Sequence, residues 1–269
     1  MSRTDWAEKF VAQFSSLPLS RECVYHSPKY LKKGIEKEVC DHLIIMKEEA
    51  ILISMKAQED PDSKSGKKLK SWVKKSSKKA VKQAKGALKT IANEKFWCDH
   101  DIRGKVNFDP KSIEIKYVIV IAELFNDHFL ISEKLPNAQD GIPILYFSVN
   151  DFLNLVSELR TFTDLKNYLE SRSSLYENTR NYIGYERKFF QHYISHNQSF
   201  SDVASIDDLT VVPSKWIEFI DWKKENEANM ELTENVINSL TERLPNYRSG
   251  LRKIHFKHLI LKMHAIIIC

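Results

Sequence analysis

The 269-residue chain has few glycines and few cysteines, and this scarcity excludes several kinds of functional site. Its seven glycines form no Gly-rich phosphate loop, no Walker motif and no Gly-x-Ser-x-Gly nucleophile motif. Its four cysteines are scattered and form no C-x-x-C pair, which argues against a zinc site and a disulfide framework. We therefore expect reduced thiols and a cytoplasmic protein.

The chain also lacks a continuous apolar run of the roughly eighteen residues that suggest a membrane helix. The nearest approach, LILKMHAIIIC at the end of the sequence, is interrupted by Lys262 and His264. The beginning, MSRTDWAEKF, has no apolar stretch behind basic residues, so it does not predict a signal peptide. We expect no membrane segment, and a hydrophobic content of 42% predicts a folded core.

Positive charge is concentrated in one segment. Eleven lysines and no acid lie between Lys64 and Lys89, although the net charge of the whole chain is only +5. Residues 67–92 also show the longest helical pattern, with most lysines outside its apolar stripe. This basic helix predicts an anionic partner, and DNA is favoured over a membrane surface because the stripe is small and Ala-rich. The lysines expected to bind nucleic acid are Lys74, Lys75, Lys78, Lys79, Lys82 and Lys85.

Apolar periodicity predicts an α/β core at residues 1–175 and a helical extension at 176–269. The core strands are expected at 23–25, in the hairpin HLIIM and AILISMK, in SIEIKYVIVIAEL with HFLIS as its hairpin partner, and in ILYFSV. The helices are expected at 4–16 and 67–92, after a cap at Asn150 or Asp151, after a cap at Thr163 or Asp164, and at 180–197, 213–225, 232–244 and 251–264. Because strands and helices alternate unevenly, a mixed sheet flanked by helices is predicted.

The hairpin carries the candidate site. Asp41 opens its first strand and Lys56 ends its second, and strand alternation places Ser54, Lys56 and Gln58 on one face. An acid opposite a lysine among apolar neighbours is costly to bury unless the pair has a purpose. Binding a divalent cation against a phosphate is such a purpose.

These residue types suggest a division of roles for phosphodiester hydrolysis. Asp41 and the main-chain carbonyl of Met55 are the candidate ligands of Mg²⁺ or Mn²⁺, and Glu38 is a candidate for further negative charge. Lys56 is the candidate group that orients or polarises the attacking water. Ser54 is a weak point, because a hydroxyl binds Mg²⁺ less well than a carboxylate does.

Asp41 followed by Ser54-x-Lys56 on the next strand resembles the signature of the PD-(D/E)xK, or restriction-endonuclease-like, nuclease superfamily. Roughly residues 20–175 are similar to uncharacterised bacterial proteins of that superfamily with a Ser-x-Lys variant motif. The stretches that carry this likeness are KEVCDHLIIMKEEAILISMKAQED, KKAVKQAKGALKTI and ILYFSVNDFLNLVSELRTFTDLKNYLESR.

The resemblance implies Mg²⁺-dependent cleavage of DNA in bacterial defence or DNA processing. It implies metal binding at Asp41, a catalytic role for Lys56 and support from Glu38. It also implies that Gln58 is a catalytic residue that contacts the phosphate or the water network. Gln83 would point a polar group at the site and is expected to bind nucleic acid together with the lysines of the helix. Ser54 replaces the acid that is usual in the superfamily.

Two other functions remain open at this point. The chain could be an inactive nuclease-fold module that binds nucleic acid, which Ser54 favours, whereas Asp41 and Lys56 favour an enzyme. It could also be a scaffold whose C-terminal helices bind a protein partner.

Overall fold

A computed structural model of the chain describes residues 23–58, 66–123, 129–130, 135–159, 161–175 and 182–225. The helices predicted at 4–16, 232–244 and 251–264 lie outside these residues. The chain divides into two compact units, Met1–Pro213 and Ser214–Cys269, and the predicted boundary after residue 175 lies inside the first. The described part of the second unit is helical, in continuation of a helix that begins at residue 213.

Twelve strands and four α-helices with defined bounds occur in the described part of the chain. The strands are β1 (Val24–His26), β2 (Lys29–Lys32), β3 (Ile35–Glu38), β4 (His42–Met46), β5 (Glu49–Lys56), β6 (Phe96–His100), β7 (Gly104–Phe108), β8 (Glu114–Ala122), β9 (Phe129–Leu130), β10 (Ala138–Gln139), β11 (Ile142–Ser148) and β12 (Tyr182–Ile183). The helices are α1 (Gly66–Asn93), α2 (Val149–Leu159), α3 (Phe162–Leu175) and α4 (Glu186–Ser195).

The core is a six-stranded mixed sheet in the order β1-β4-β5-β8-β11-β10. The strands β1, β4 and β5 are antiparallel, whereas β5, β8 and β11 are parallel. The central strands are almost continuously apolar because both faces of the sheet are covered, and their side chains are buried. The predicted α/β class with a mixed sheet and the predicted β4–β5 hairpin are confirmed.

One expectation about strands was wrong, and one sheet was not anticipated. HFLIS is not the hairpin partner of β8, because β8 lies between β5 and β11 and β9 pairs with β12 instead. A second, four-stranded sheet in the order β3-β2-β6-β7 was not predicted at all. Its strands β2 and β3 are short and largely exposed, so their sequences lack the apolar alternation that marks a half-buried strand.

Helix α1 packs against β5 and β8 and confirms the longest predicted helix. Its buried side chains are Leu69, Val73, Ser77, Ala80, Val81, Ala84, Ala87 and Ile91. No helix in the described residues combines the length and the apolar character that crossing a bilayer requires.

Helices α3 and α4 are joined by a buried ion pair. Arg172 Nε donates to Glu186 Oε1 at 2.9 Å, and the Tyr168 hydroxyl donates to the same oxygen. The Arg172 guanidinium also lies over the Phe189 ring, 3.6 Å from its centroid. Burial raises the pKa of Glu186, although Arg172 and Tyr168 oppose that rise. The pair therefore depends on both partners to offset the cost of removing charge from water.

Helices α2 and α3 begin earlier than the sequence suggested, and a side-chain hydroxyl caps the first turn of each helix. The Asp151 amide donates to Ser148 Oγ at 3.0 Å, and the Asp164 amide donates to Thr161 Oγ1 at 3.0 Å. Asp151 and Asp164 are therefore third residues of their helices rather than caps. The error has a simple cause, because aspartate is favourable both as a cap and in the first turn.

We expect Thr161→Ala to lower the free energy of unfolding by about 1 kcal/mol, because the first turn of α3 loses its side-chain acceptor. Thr161→Ser keeps the hydroxyl and is expected to retain most of the stability. Urea unfolding followed by circular dichroism measures both variants. Equal stability of the alanine variant and the wild type would show that the cap does not stabilise α3.

Candidate functional site

The polar residues of the hairpin lie together at one edge of the central sheet. The parallel strands β5 and β8 end there, since Lys56 is in register with Ala122. Strand β4 is antiparallel to β5 and therefore begins at the same edge, where Asp41 precedes it. Residues just beyond the carboxyl ends of parallel strands are a common place for binding sites in α/β proteins. We call this place the Asp41–Lys56 edge.

Asp41 is buried, and both its main-chain carbonyl and its side-chain carboxylate accept hydrogen bonds. Its main-chain carbonyl accepts a hydrogen bond of 2.9 Å from the Ser27 amide. Its carboxylate oxygen Oδ2 accepts a hydrogen bond from the Met55 amide, so the side chain continues the ladder between β4 and β5. The carboxylate is thus fixed in one orientation beside the last residues of β5.

Lys56 brings a positive charge to the same place. Its Nζ donates to the Met55 carbonyl and lies 3.9 Å from Asp41 Oδ2. The side chains of Lys56 and Asp41 are only 15% and 12% exposed, so water screens this pair less than a surface pair. The acid and the lysine predicted for the site therefore face a common point.

Ser54 lies on the same face of β5 and is buried. The register His42 to Ile53 places Asp41 opposite Ser54, one step beyond the last ladder pair. A carboxylate at position 54 would therefore lie next to Asp41. This chain has the hydroxyl of Ser54 at that position instead.

Glu38 is not brought into direct contact with the Asp41 carboxylate by any described hydrogen bond or ion pair. It is exposed at the end of β3, and it accepts a hydrogen bond of 2.6 Å from Ser27 Oγ. Ser27 thus contacts both acids, Glu38 through its hydroxyl and Asp41 through its amide.

Gln58 is buried, with 2% of its surface exposed. Its amide nitrogen donates to the Glu123 carbonyl at 3.5 Å, while its Oε1 has no hydrogen-bond partner among the described residues. A buried acceptor of this kind is costly unless a ligand or water satisfies it. The Lys56 carbonyl accepts from the Glu123 amide at 2.9 Å, so Gln58 and Lys56 are both tied to the residue that follows β8.

Glu123 is the residue of this edge that the sequence analysis missed. It is 7% exposed and directly follows the apolar second half of strand β8. An acid immediately after a long apolar run was the available signal, since that is where a central parallel strand reaches its carboxyl end.

The predicted nucleic-acid residues lie apart from Asp41 and Lys56. Gln83 is exposed on α1 and forms no hydrogen bond with either residue in the described part of the chain. Lys74 is half-buried, and the other predicted lysines, Lys75, Lys78, Lys79, Lys82 and Lys85, are exposed on α1. None of these residues forms a hydrogen bond or an ion pair with Asp41 or Lys56 in the part of the chain that the structure describes.

The oxygen atoms at the edge fit a hydrated magnesium ion better than a metal enclosed by protein. No three His, Cys, Asp or Glu side chains gather where they could hold a metal within the described residues. Magnesium, however, keeps several waters and is commonly bound by one or two carboxylates. The Lys56 ammonium approaches the Met55 carbonyl and Asp41 Oδ2, so these two oxygens already attract a cation.

The neighbouring thiol is unsuited to nucleophilic chemistry. Burial, together with the carboxylates of Asp41 and Glu38, raises the pKa of Cys40 well above its usual value. Cys40 Sγ instead donates to the His42 carbonyl at 3.4 Å. Because the thiolate is the nucleophilic form, the raised pKa makes Cys40 a poor candidate for a nucleophile.

Comparisons of the chain with family models, with curated proteins and with solved structures give no match. The function is therefore inferred from the residues and their geometry.

Proposed function

We propose that the chain is a metal-dependent nuclease that hydrolyses DNA phosphodiester bonds at the Asp41–Lys56 edge. The observation that carries this proposal is the 3.9 Å separation of Lys56 Nζ and Asp41 Oδ2 beside the Met55 carbonyl. A fixed carboxylate, a main-chain oxygen and an ammonium group at one point are the groups that metal-assisted phosphate chemistry requires.

The arrangement of the hairpin also supports the proposal. The acid precedes one strand, the lysine ends its antiparallel neighbour, and both strands belong to a mixed sheet. This is the placement that a restriction-endonuclease-like fold implies for its signature residues. A role in bacterial defence or DNA processing follows from that resemblance, and a cytoplasmic location follows from the expected reduced thiols.

Each group has a distinct task in the proposed reaction. Asp41 and the Met55 carbonyl would hold Mg²⁺ or Mn²⁺, which supplies positive charge at the scissile phosphate when bound. Lys56 orients the attacking water and stabilises the negative charge that develops on the phosphate oxygens. The unsatisfied Oε1 of Gln58 accepts a hydrogen bond from a water at the edge.

Asp41→Asn tests whether the carboxylate binds the metal. Asparagine retains an oxygen that accepts from the Met55 amide but removes the charge, so the hairpin keeps its hydrogen bond while cation binding weakens. We expect the Mg²⁺ concentration for half-maximal plasmid nicking to rise roughly tenfold to a hundredfold, the range seen when groups that tune metal sites are changed. An unchanged Mg²⁺ requirement in a folded variant would remove Asp41 from the site.

A second function, DNA binding without cleavage, is favoured by Ser54. Because this buried position carries a hydroxyl, Asp41 is the only carboxylate that forms an ion pair with Lys56 among the described residues. Gel-shift binding with no nicking in either wild type or Lys56→Ala would establish this second function. Absence of DNA affinity in both proteins would instead favour a scaffold with a protein partner.

A further inference from the structure

We infer that the outer side of α1 is a second DNA-binding surface, separate from the Asp41–Lys56 edge, that holds duplex backbone without reading its sequence. This inference deepens the proposed function by assigning a binding surface to its substrate. We call the surface the basic face. It consists of the exposed lysines Lys67, Lys68, Lys70, Lys75, Lys78, Lys79, Lys82, Lys85 and Lys89.

The basic face is directed away from the sheet. Successive residues of an α-helix are about 100° apart, and at this spacing the buried residues of α1 fall in one stripe. Most of the exposed lysines fall on the opposite side of the helix, centred near Lys78, Lys82 and Lys89. Because the helix is about 10 Å thick, it separates these ammonium groups from β5 and β8.

Within the described residues, no carboxylate forms an ion pair with the lysines of this face. None of the nine forms an ion pair in the described part of the chain. Like charges four residues apart on a helix repel each other, and the basic face contains three such pairs. The pairs are Lys75–Lys79, Lys78–Lys82 and Lys85–Lys89. A bound polyanion would relieve this repulsion.

The dimensions of the basic face match duplex DNA. The rise of an α-helix places Lys67 and Lys89 about 33 Å apart, and one turn of B-form DNA is about 34 Å long. All the cations of the face are lysines, which act as point charges toward phosphates, whereas the planar guanidinium of arginine is better suited to bidentate recognition. The face therefore suits phosphate contacts that do not depend on sequence.

The orientation of α1 connects the basic face with the Asp41–Lys56 edge. The Lys111 amide donates to the Ile91 carbonyl at 3.4 Å, so the end of α1 lies close to the start of β8. The start of β8 lies beside the start of β5, where the Glu114 amide donates to the Glu48 carbonyl at 2.6 Å. Helix α1 therefore runs back along these strands, and Lys67 and Lys68 lie toward the edge that carries Lys56.

A lipid surface fits the basic face less well than DNA does. Membrane-surface helices bury a large apolar face in the bilayer, whereas the apolar stripe of α1 is covered by the sheet. The large hydrophobic side chains that are exposed in the described residues are Leu31, Ile35, Val212, Ile217 and Trp222, and none belongs to α1.

The salt dependence of DNA binding tests the inference without requiring cleavage. A triple variant, Lys75→Gln, Lys78→Gln and Lys82→Gln, is compared with a matched triple variant, Lys32→Gln, Lys37→Gln and Lys188→Gln. All six lysines are exposed, and those of the second set lie outside α1. Fluorescence anisotropy with two unrelated 30-base-pair duplexes, without divalent metal, gives Kd at several salt concentrations.

We expect the α1 variant to reduce the slope of log Kd against log salt by about three, since each phosphate contact contributes about 0.9. The control variant should leave the slope unchanged, and both duplexes should give the same Kd. Equal slopes for the two variants would overturn the inference. The inference would also be overturned if wild type bound vesicles containing phosphatidylserine and the α1 variant did not, while both proteins bound DNA equally well. If wild type fails to cut DNA but the slopes differ as expected, the nuclease proposal falls and the basic face stands.

Discussion

Replacing Lys56 with alanine is expected to lower the rate of metal-dependent plasmid nicking by about 10³-fold, within the range found for a lost catalytic acid–base or electrostatic group. The ammonium group is the positive charge nearest to the Asp41 carboxylate in the described contacts, at 3.9 Å. Without it, the attacking water is not oriented and the developing phosphate charge loses a partner. Nicking of supercoiled plasmid with Mg²⁺ or Mn²⁺ measures the effect.

Two controls separate loss of chemistry from loss of structure or affinity. Lys32→Ala removes an exposed lysine of β2 and should cut at the wild-type rate. Gel-shift affinity of Lys56→Ala should remain close to that of wild type, because the basic face is untouched. Equal nicking by Lys56→Ala and wild type would exclude the catalytic role of Lys56. Reduced nicking together with a lower unfolding midpoint would show that Lys56 stabilises the fold instead.

Replacing Arg172 with leucine is expected to destabilise the first compact unit by about 3–5 kcal/mol, the cost of leaving a buried charge without its partner. Arg172 is 1% exposed and Glu186 is 2% exposed, so neither group can turn to water. The loss should appear as a lower midpoint in urea unfolding and a lower thermal midpoint.

The double variant Arg172→Leu, Glu186→Leu distinguishes this explanation from a general packing defect. Removing both charges leaves no unpaired ion, so much of the lost stability should return, since a buried pair is often replaceable by apolar residues. Lys95→Ala removes one partner of the exposed pair between Lys95 and Asp109 and should change stability little. A double variant less stable than Arg172→Leu would contradict the account.

The hairpin could be predicted because its evidence is local. An acid, an apolar run, a turn and a second apolar run ending in lysine lie within one short segment, and strand alternation then determines which side chains share a face. The structure places Asp41 and Lys56 together accordingly. The position of Glu38 was harder to predict, because its distance from Asp41 depends on how the second sheet is oriented relative to the central sheet.

The features that were missed depend on contacts distant in sequence. Glu123 meets Lys56 only because β8 pairs with β5 in parallel, although the two residues are 67 positions apart in a stretch that includes α1. Likewise, HFLIS was assigned to β8 by proximity, whereas β9 pairs with β12, which follows only after two further strands and two helices. Parallel pairing leaves no short turn signal in the sequence, so periodicity alone does not identify the partners.

The short outgrowth formed by β2 and β3 leaves the central sheet after β1 and returns at Asp41. Two backbone hydrogen bonds close it at the base, from the Ser27 amide to the Asp41 carbonyl and from the Val39 amide to the Pro28 carbonyl. Because main-chain hydrogen bonds do not depend on side-chain identity, the exposed turn between β2 and β3, beyond the residues of β2 that pair with β6, is open to evolutionary change while the anchor stays in place. Natural selection could thus alter what this protein touches without rebuilding the groups that would do its chemistry.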